Sequence, residues 1–219
     1  MRPGPLLAAA VASVATIGLV PPPAAAAGAT ASLTSAVGRL LTLVEQAVAD
    51  ESVPAFARTR IAWLAREHHG GTLSIVLLKN AASAGLDGSA LMASGIADGR
   101  QTIVISQPRF EAFLQEEAAS GDTTFSRRQR NDFLLGLVHE TVHLESPLRD
   151  PNPTLEGRLQ EEERAWRIVD LQVVRPLRAH HEPMHPRFID ADEAIRSCGD
   201  KSPCPALRRL LLSSEINRS

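Results

Sequence analysis

Apolar positions recur at helical spacing along most of this chain and give way to β-branched runs only in its middle. Residues 32–49 carry Leu33, Val37, Leu40, Leu41, Val44 and Val48, the three- and four-residue steps of an amphipathic helix, with Ser32 or Thr34 available as its cap. Pro54 restarts a second helix through Ile61, Trp63 and Leu64, which ends at His68-His69-Gly70-Gly71. The run T-L-S-I-V-L-L at 72–78 predicts a strand. Residues 89–97 and 102–106 flank a connection that opens with Asp98-Gly99, a hairpin signal, so the middle of the chain predicts a sheet of about three strands. Residues 108–118 predict a helix that Ser120-Gly121-Asp122 breaks.

Thr123 or Ser126 then opens a long helix ending at Ser146-Pro147, with Leu134, Leu135, Val138 and Val142 as its apolar stripe. Past Pro147, Pro151 and Pro153, residues 154–178 predict one more helix. Ile168, Leu171, Val174 and Leu177 are its buried spacing, Leu155, Leu159, Trp166 and Val169 flank them, and Pro176 kinks or stops it. From His180 onward the pattern predicts a His- and Pro-rich turn, a cysteine loop and a short helix through Leu207, Leu210 and Leu211. The chain shows no internal repeat, and the order of elements is that of an α+β domain over residues 32–219.

Composition narrows this picture. The chain has 219 residues, 44% of them hydrophobic, and a formal net charge of −2, which suits one soluble domain with a real core. No long basic run is present, so nucleic acid is not an expected partner, and oligomeric state is not legible. Arg2, the apolar run at 5–20, Pro21-Pro22-Pro23 and an alanine-rich tract together predict a secretory signal peptide over residues 1–31, cleaved between 26 and 31. That apolar run is short for a membrane span, so a secreted or periplasmic protein without a stable span is expected. Cys198 and Cys204 agree with export. Their spacing lacks the C-x-x-C of a redox or metal pair and predicts a disulfide closing a small loop.

The candidate chemistry lies in the long helix, at H-E-T-V-H. Residues four apart on a helix differ by about 40° in azimuth and about 6 Å in height, so His139 and His143 can close on one metal ion, Zn2+ by ligand type. Glu140 lies just around the helix, where a carboxylate can take a proton from a water at the metal. A catalytic zinc needs a third protein ligand and an open position. The stretch Q-E-E-E-R-A-W offers Glu161, Glu162 and Glu163 on the next helix. Glu161 and Asp170 are candidate partners for the ligating imidazoles.

H-E-T-V-H followed after eighteen residues by E-E-R-A resembles the gluzincin metallopeptidases. The resemblance covers about thirty-five residues and implies a zinc peptidase acting on peptides or proteins, with Glu140 as catalytic base. It implies His139, His143 and Glu162 as ligands; Glu163 fits the thermolysin-like spacing, which is one residue longer. It further implies a zincin-like fold, in which a small twisted sheet lies over the active-site helix and the glutamate helix follows. An edge strand, from 102–106 or its hairpin partner, would bind extended peptide. One departure is plain: the family's oxyanion-stabilising Tyr has no counterpart in a chain without tyrosine. His180, His181, His185 or Arg158 would have to stand in for it. The rival expectations are an exported zinc-binding protein without peptidase activity, and a hydrolase of cell-wall amides.

Overall fold

The structure, a computed structural model, describes residues 46, 49–80, 91–97, 99–112, 123–145 and 154–216; the expected signal peptide and most of the first expected helix lie outside them. Its elements are α1 (Ala55–His69), β1 (Leu73–Leu78), β2 (Met92–Ala97), β3 (Arg100–Ser106), α2 (Thr123–Glu145), α3 (Leu155–Val169), a π-helical turn (Asp170–Val174), α4 (Arg175–Ala179), α5 (Pro186–Cys198) and α6 (Pro205–Ile216). The chain is therefore mixed α+β, as its pattern predicts. No described helix is long and apolar enough to cross a membrane.

The three strands form one sheet in the order β1-β3-β2, with β1 parallel and β2 antiparallel to β3. Ala97 pairs with Arg100, so the connection between the two strands is two residues long; Gly99 within it has φ +74°, a value that favours glycine. The strand expected at 102–106 is thus central and cannot offer a free edge. That role passes to its hairpin partner β2, whose outer side is unpaired among the described residues.

Helix α2 runs beneath this sheet and touches β2, α1 and α3. Its predicted stripe is buried, and so are Phe133, Leu137 and Leu144, so the second half of the helix, from Phe133 to Leu144, belongs to the core. Each such side chain contributes roughly 1.5–3 kcal/mol on burial, enough together to hold a helix that also buries Glu140. Ile61 and Leu64 of α1, Ile103 and Ile105 of β3 and Val169, Val173 and Val174 complete this core. A second apolar cluster joins Leu159 and Trp166 of α3 to α5 and α6 through Ala191, Ile195, Cys204 and Leu207.

The helix expected over 154–178 starts as predicted, with Thr154 Oγ1 accepting the Gly157 N–H at 3.1 Å as its N-cap. Its expected buried spacing is kept at Val174 and Leu177, and Ile168 packs on the core, so Leu171 alone departs from it. The N–H of Arg175 bonds to the carbonyl of Asp170, five residues back, a single π turn within the helical path. Leu171, expected inside, is 56% exposed, and Val173 is buried instead. Pro176 lies in the first turn of α4, where a missing N–H is tolerated, so the helical path continues to Ala179. Helix α5 falls where a turn is expected; Ala191, Ala194 and Ile195 give it a short apolar face.

The π turn and α5 meet at a buried acidic pair. Burial and the neighbouring Asp192 charge raise the Asp170 carboxyl to about 6, against the opposing pull of Arg175, which bonds it at 2.9 Å. The folded chain therefore keeps a proton at Asp170 that the unfolded chain has lost. This contribution disfavours folding increasingly as pH rises from about 4 to about 6. Asp170→Asn should gain stability relative to the parent over that interval, by on the order of 1–3 kcal/mol, read as urea midpoints at pH 4 and pH 7.5. An unchanged difference at the two pH values would refute the assignment.

Candidate metal centre

Helical geometry places the first two donors. His139 and His143 stand one turn apart on α2, with ring centroids 4.6 Å apart, and both present Nε2 to the same point, 3.0 Å from each other. The third donor comes from α3: Glu162 Oε2 lies 3.2 Å from His139 Nε2, and its Oε1 lies 3.4 Å from His143 Nε2. Ligands bonded at about 2.0–2.1 Å to one tetrahedral ion sit roughly 3.3–3.4 Å from each other. The observed spacings of 3.0, 3.2 and 3.4 Å are each close to that edge length, the last two reaching different oxygens of the Glu162 carboxylate, and one donor atom from each residue lies within 4.8 Å of the others. These three residues fit a divalent metal ion on the chemistry of their donors as well as on distance. The two imidazoles are largely shielded, with side chains 13% and 17% exposed, while Glu162 at 41% leaves the centre open on its side.

The cluster's charges answer to one another. Burial alone would lower His143, but hydrogen bonding to Glu162 and the charges of Glu162 and Glu140 outweigh it and raise the imidazole to about 9. Burial would likewise raise Glu162, yet hydrogen bonds with His139 and His143 hold it well below the usual carboxylate range. A metal ion entering the site must displace the proton that these carboxylates hold on His143, so acid weakens its binding.

Outside the three donors, the structure distinguishes the residues the sequence left open. Glu161 Oε1 lies 3.1 Å from His143 Nδ1, and Arg164 clamps the same carboxylate with bonds of 2.8 and 2.6 Å while also donating to the Val142 carbonyl at 3.1 Å. An Nδ1–H donated to Glu161 leaves the His143 Nε2 lone pair free for a metal. Asp170, the other candidate partner, is instead engaged with Arg175. His139 Nδ1 is buried without a hydrogen-bond partner among the described residues; its ring lies 5.2 Å from the Trp166 ring.

Glu163 is turned away from the site. Both its oxygens accept the Cys204 N–H, at 3.0 and 3.1 Å, and Arg167 and Arg208 close on it at 3.2 and 3.1 Å. It holds the loop closed by the Cys198–Cys204 disulfide, whose Cα atoms are 5.6 Å apart, against the back of α3. Successive helical residues point about 100° apart, so Glu162 and Glu163 cannot serve the same point.

Glu140 is 9% exposed, and burial raises its carboxyl against the opposing pull of His139, His143 and Ser94. Ser94 Oγ donates to its Oε2 at 2.7 Å. The pattern of the sequence did not single out Ser94, because a lone serine in a short strand carries no signal of a partner 46 positions away. Gly136 has a structural reason: a Cβ there would come within 3.2 Å of Met92 Cε on β2.

None of the groups nominated to replace the oxyanion tyrosine is joined to the three donors by a hydrogen bond or ion pair among the described residues. His185 caps α5, its Nδ1 accepting the Arg187 N–H at 3.1 Å and its own N–H donating to Asp132 at 2.6 Å. His180, His181 and Arg158 are exposed. His68 and His69, at the expected end of the second helix, close α1, with the half-buried His68 placing Nδ1 3.4 Å from the Leu73 carbonyl. Compared with known proteins, the chain matches no family model, no curated protein and no solved structure.

Proposed function

We propose that the chain is an exported, zinc-dependent peptidase of gluzincin type. One observation carries the reading: three potential metal donors from two helices converge within 4.8 Å of one another, with a buried carboxylate on the residue next to the first of them. Zinc bound there would polarise a peptide carbonyl and make an attacking water more acidic. Glu140 then accepts the water's proton and passes it to the leaving amine. Its raised carboxyl brings its affinity for the proton closer to what that exchange needs.

The sheet supplies a place for substrate. In an antiparallel pair, alternate residues bond to the neighbour, and the pair closing a two-residue turn is bonded. The Leu91 carbonyl accepts the Ser106 N–H at 2.8 Å, in phase with Ala97 and Arg100. Met92, Ser94 and Ile96 therefore turn their N–H and C=O groups to the free edge, and an extended peptide added there would run past Glu140.

A second reading, a metal-holding protein that does not hydrolyse, draws on the absence of tyrosine and on the engagement of His185 elsewhere. Metal analysis of the purified protein, followed by incubation with a fluorogenic peptide library, casein and peptidoglycan fragments, separates the readings. The peptidase reading expects one zinc per chain and cleavage of peptide that a chelator stops and zinc restores. Stoichiometric zinc without cleavage selects the second reading, and cleavage of peptidoglycan alone selects a cell-wall amidase. Absence of stoichiometric metal ends all three.

A further inference from the structure

A general base on a flexible side chain works only when its carboxylate is held, because a freely rotating one spends most of its time misaimed. Glu140 is fixed from outside its own helix. Met92 of β2 rests on Gly136, and Ser94, two residues on, bonds Glu140, four residues on from Gly136. Two residues of strand advance about 6.6 Å and four residues of helix about 6 Å, so the two contacts stay in step along neighbouring elements. Gly136 permits the close approach that the second contact requires, since a side chain there would press on Met92. Ser94 Oγ engages Oε2 of Glu140, and Oε1 has no hydrogen bond from any described residue.

From this geometry we infer that Ser94 is a positioning residue for Glu140. Its hydroxyl pins one carboxylate oxygen and leaves the other for the proton taken from water, so the strand whose edge is proposed to receive the peptide also aims the base. The inference rests on the peptidase reading above.

Ser94→Ala and Ser94→Thr, each in the metal-loaded protein, test it. A hydrogen bond to a charged group is worth a factor of about 10–100. Ser94→Ala should therefore lower kcat by about that factor, with KM within about twofold of the parent and zinc content unchanged. Thr keeps the hydroxyl and suits a strand, so Ser94→Thr should recover most of kcat. A second readout needs no turnover: denaturation midpoints of Ser94→Ala, Glu140→Ala and the double variant should be non-additive in the metal-free protein. Additive midpoints overturn the contact. A parental kcat in Ser94→Ala overturns the role even if the contact is real. A parent that binds zinc but cleaves no peptide overturns the peptidase reading itself and, with it, the role of Ser94; non-additive midpoints would then mark a purely structural contact.

Discussion

Glu140→Gln is expected to lower peptide hydrolysis by about 10²–10⁴-fold while leaving metal content at the parental level. The substitution is well suited to the site. Glutamine keeps the volume of a side chain that is 9% exposed, and its amide oxygen can still accept the Ser94 hydroxyl. What it cannot do is take a proton from water and return it to the leaving amine. Glu140 is not one of the three converging donors, so zinc affinity, measured by chelator competition, should change little. Turnover within tenfold of the parent would mean that the base is another group and that the mechanism is wrong.

The second large effect separates two neighbours in the sequence. Glu162→Ala removes one of three donors and should weaken metal binding by more than the 10–100-fold that loss of an outer partner costs, with the fold retained. The side chain is 41% exposed, so its loss opens no deep cavity. Glu163→Ala should do the reverse. It strips the Cys204 N–H, Arg167 and Arg208 of a partner that is 1% exposed, and removing one member of such a buried arrangement costs about 3–5 kcal/mol. Isothermal zinc titration and urea denaturation on both variants read the two effects side by side. Equal loss of metal in the two variants would show that Glu163 reaches the site after all.

Much of the architecture was legible because it is local. The hairpin at 97–100, the start of α3 at Thr154 and the buried stripe of α2 each arise from residues within a few positions of one another. Where pattern and structure part, a non-local or unpatterned feature decided. Leu171 lies two residues from both Val169 and Val173, whose shared face docks on the core, and helical spacing alone did not decide which of two neighbouring apolar faces would be covered. Helix α5 escaped notice because its apolar face is short and lies among charged residues. The strand at 102–106 could have been edge or centre, since pairing order depends on which partners arrive on each side.

The sequence by itself determined the pair of imidazoles and the carboxylate beside them. Helical rise and pitch set the spacing of His139, Glu140 and His143 wherever that helix packs. It also placed the two cysteines close enough along the chain to bridge. Only the tertiary structure decided which of three consecutive glutamates meets both imidazoles. Each points about 100° from the next, and the way α3 docks on α2 turns Glu162 to the imidazoles, Glu161 to the outer face of His143 and Glu163 to the cysteine loop. It likewise brought Ser94 to Glu140 across 46 residues, because strand and helix meet through the packing of Met92 on Gly136 and through no pattern that either segment carries alone.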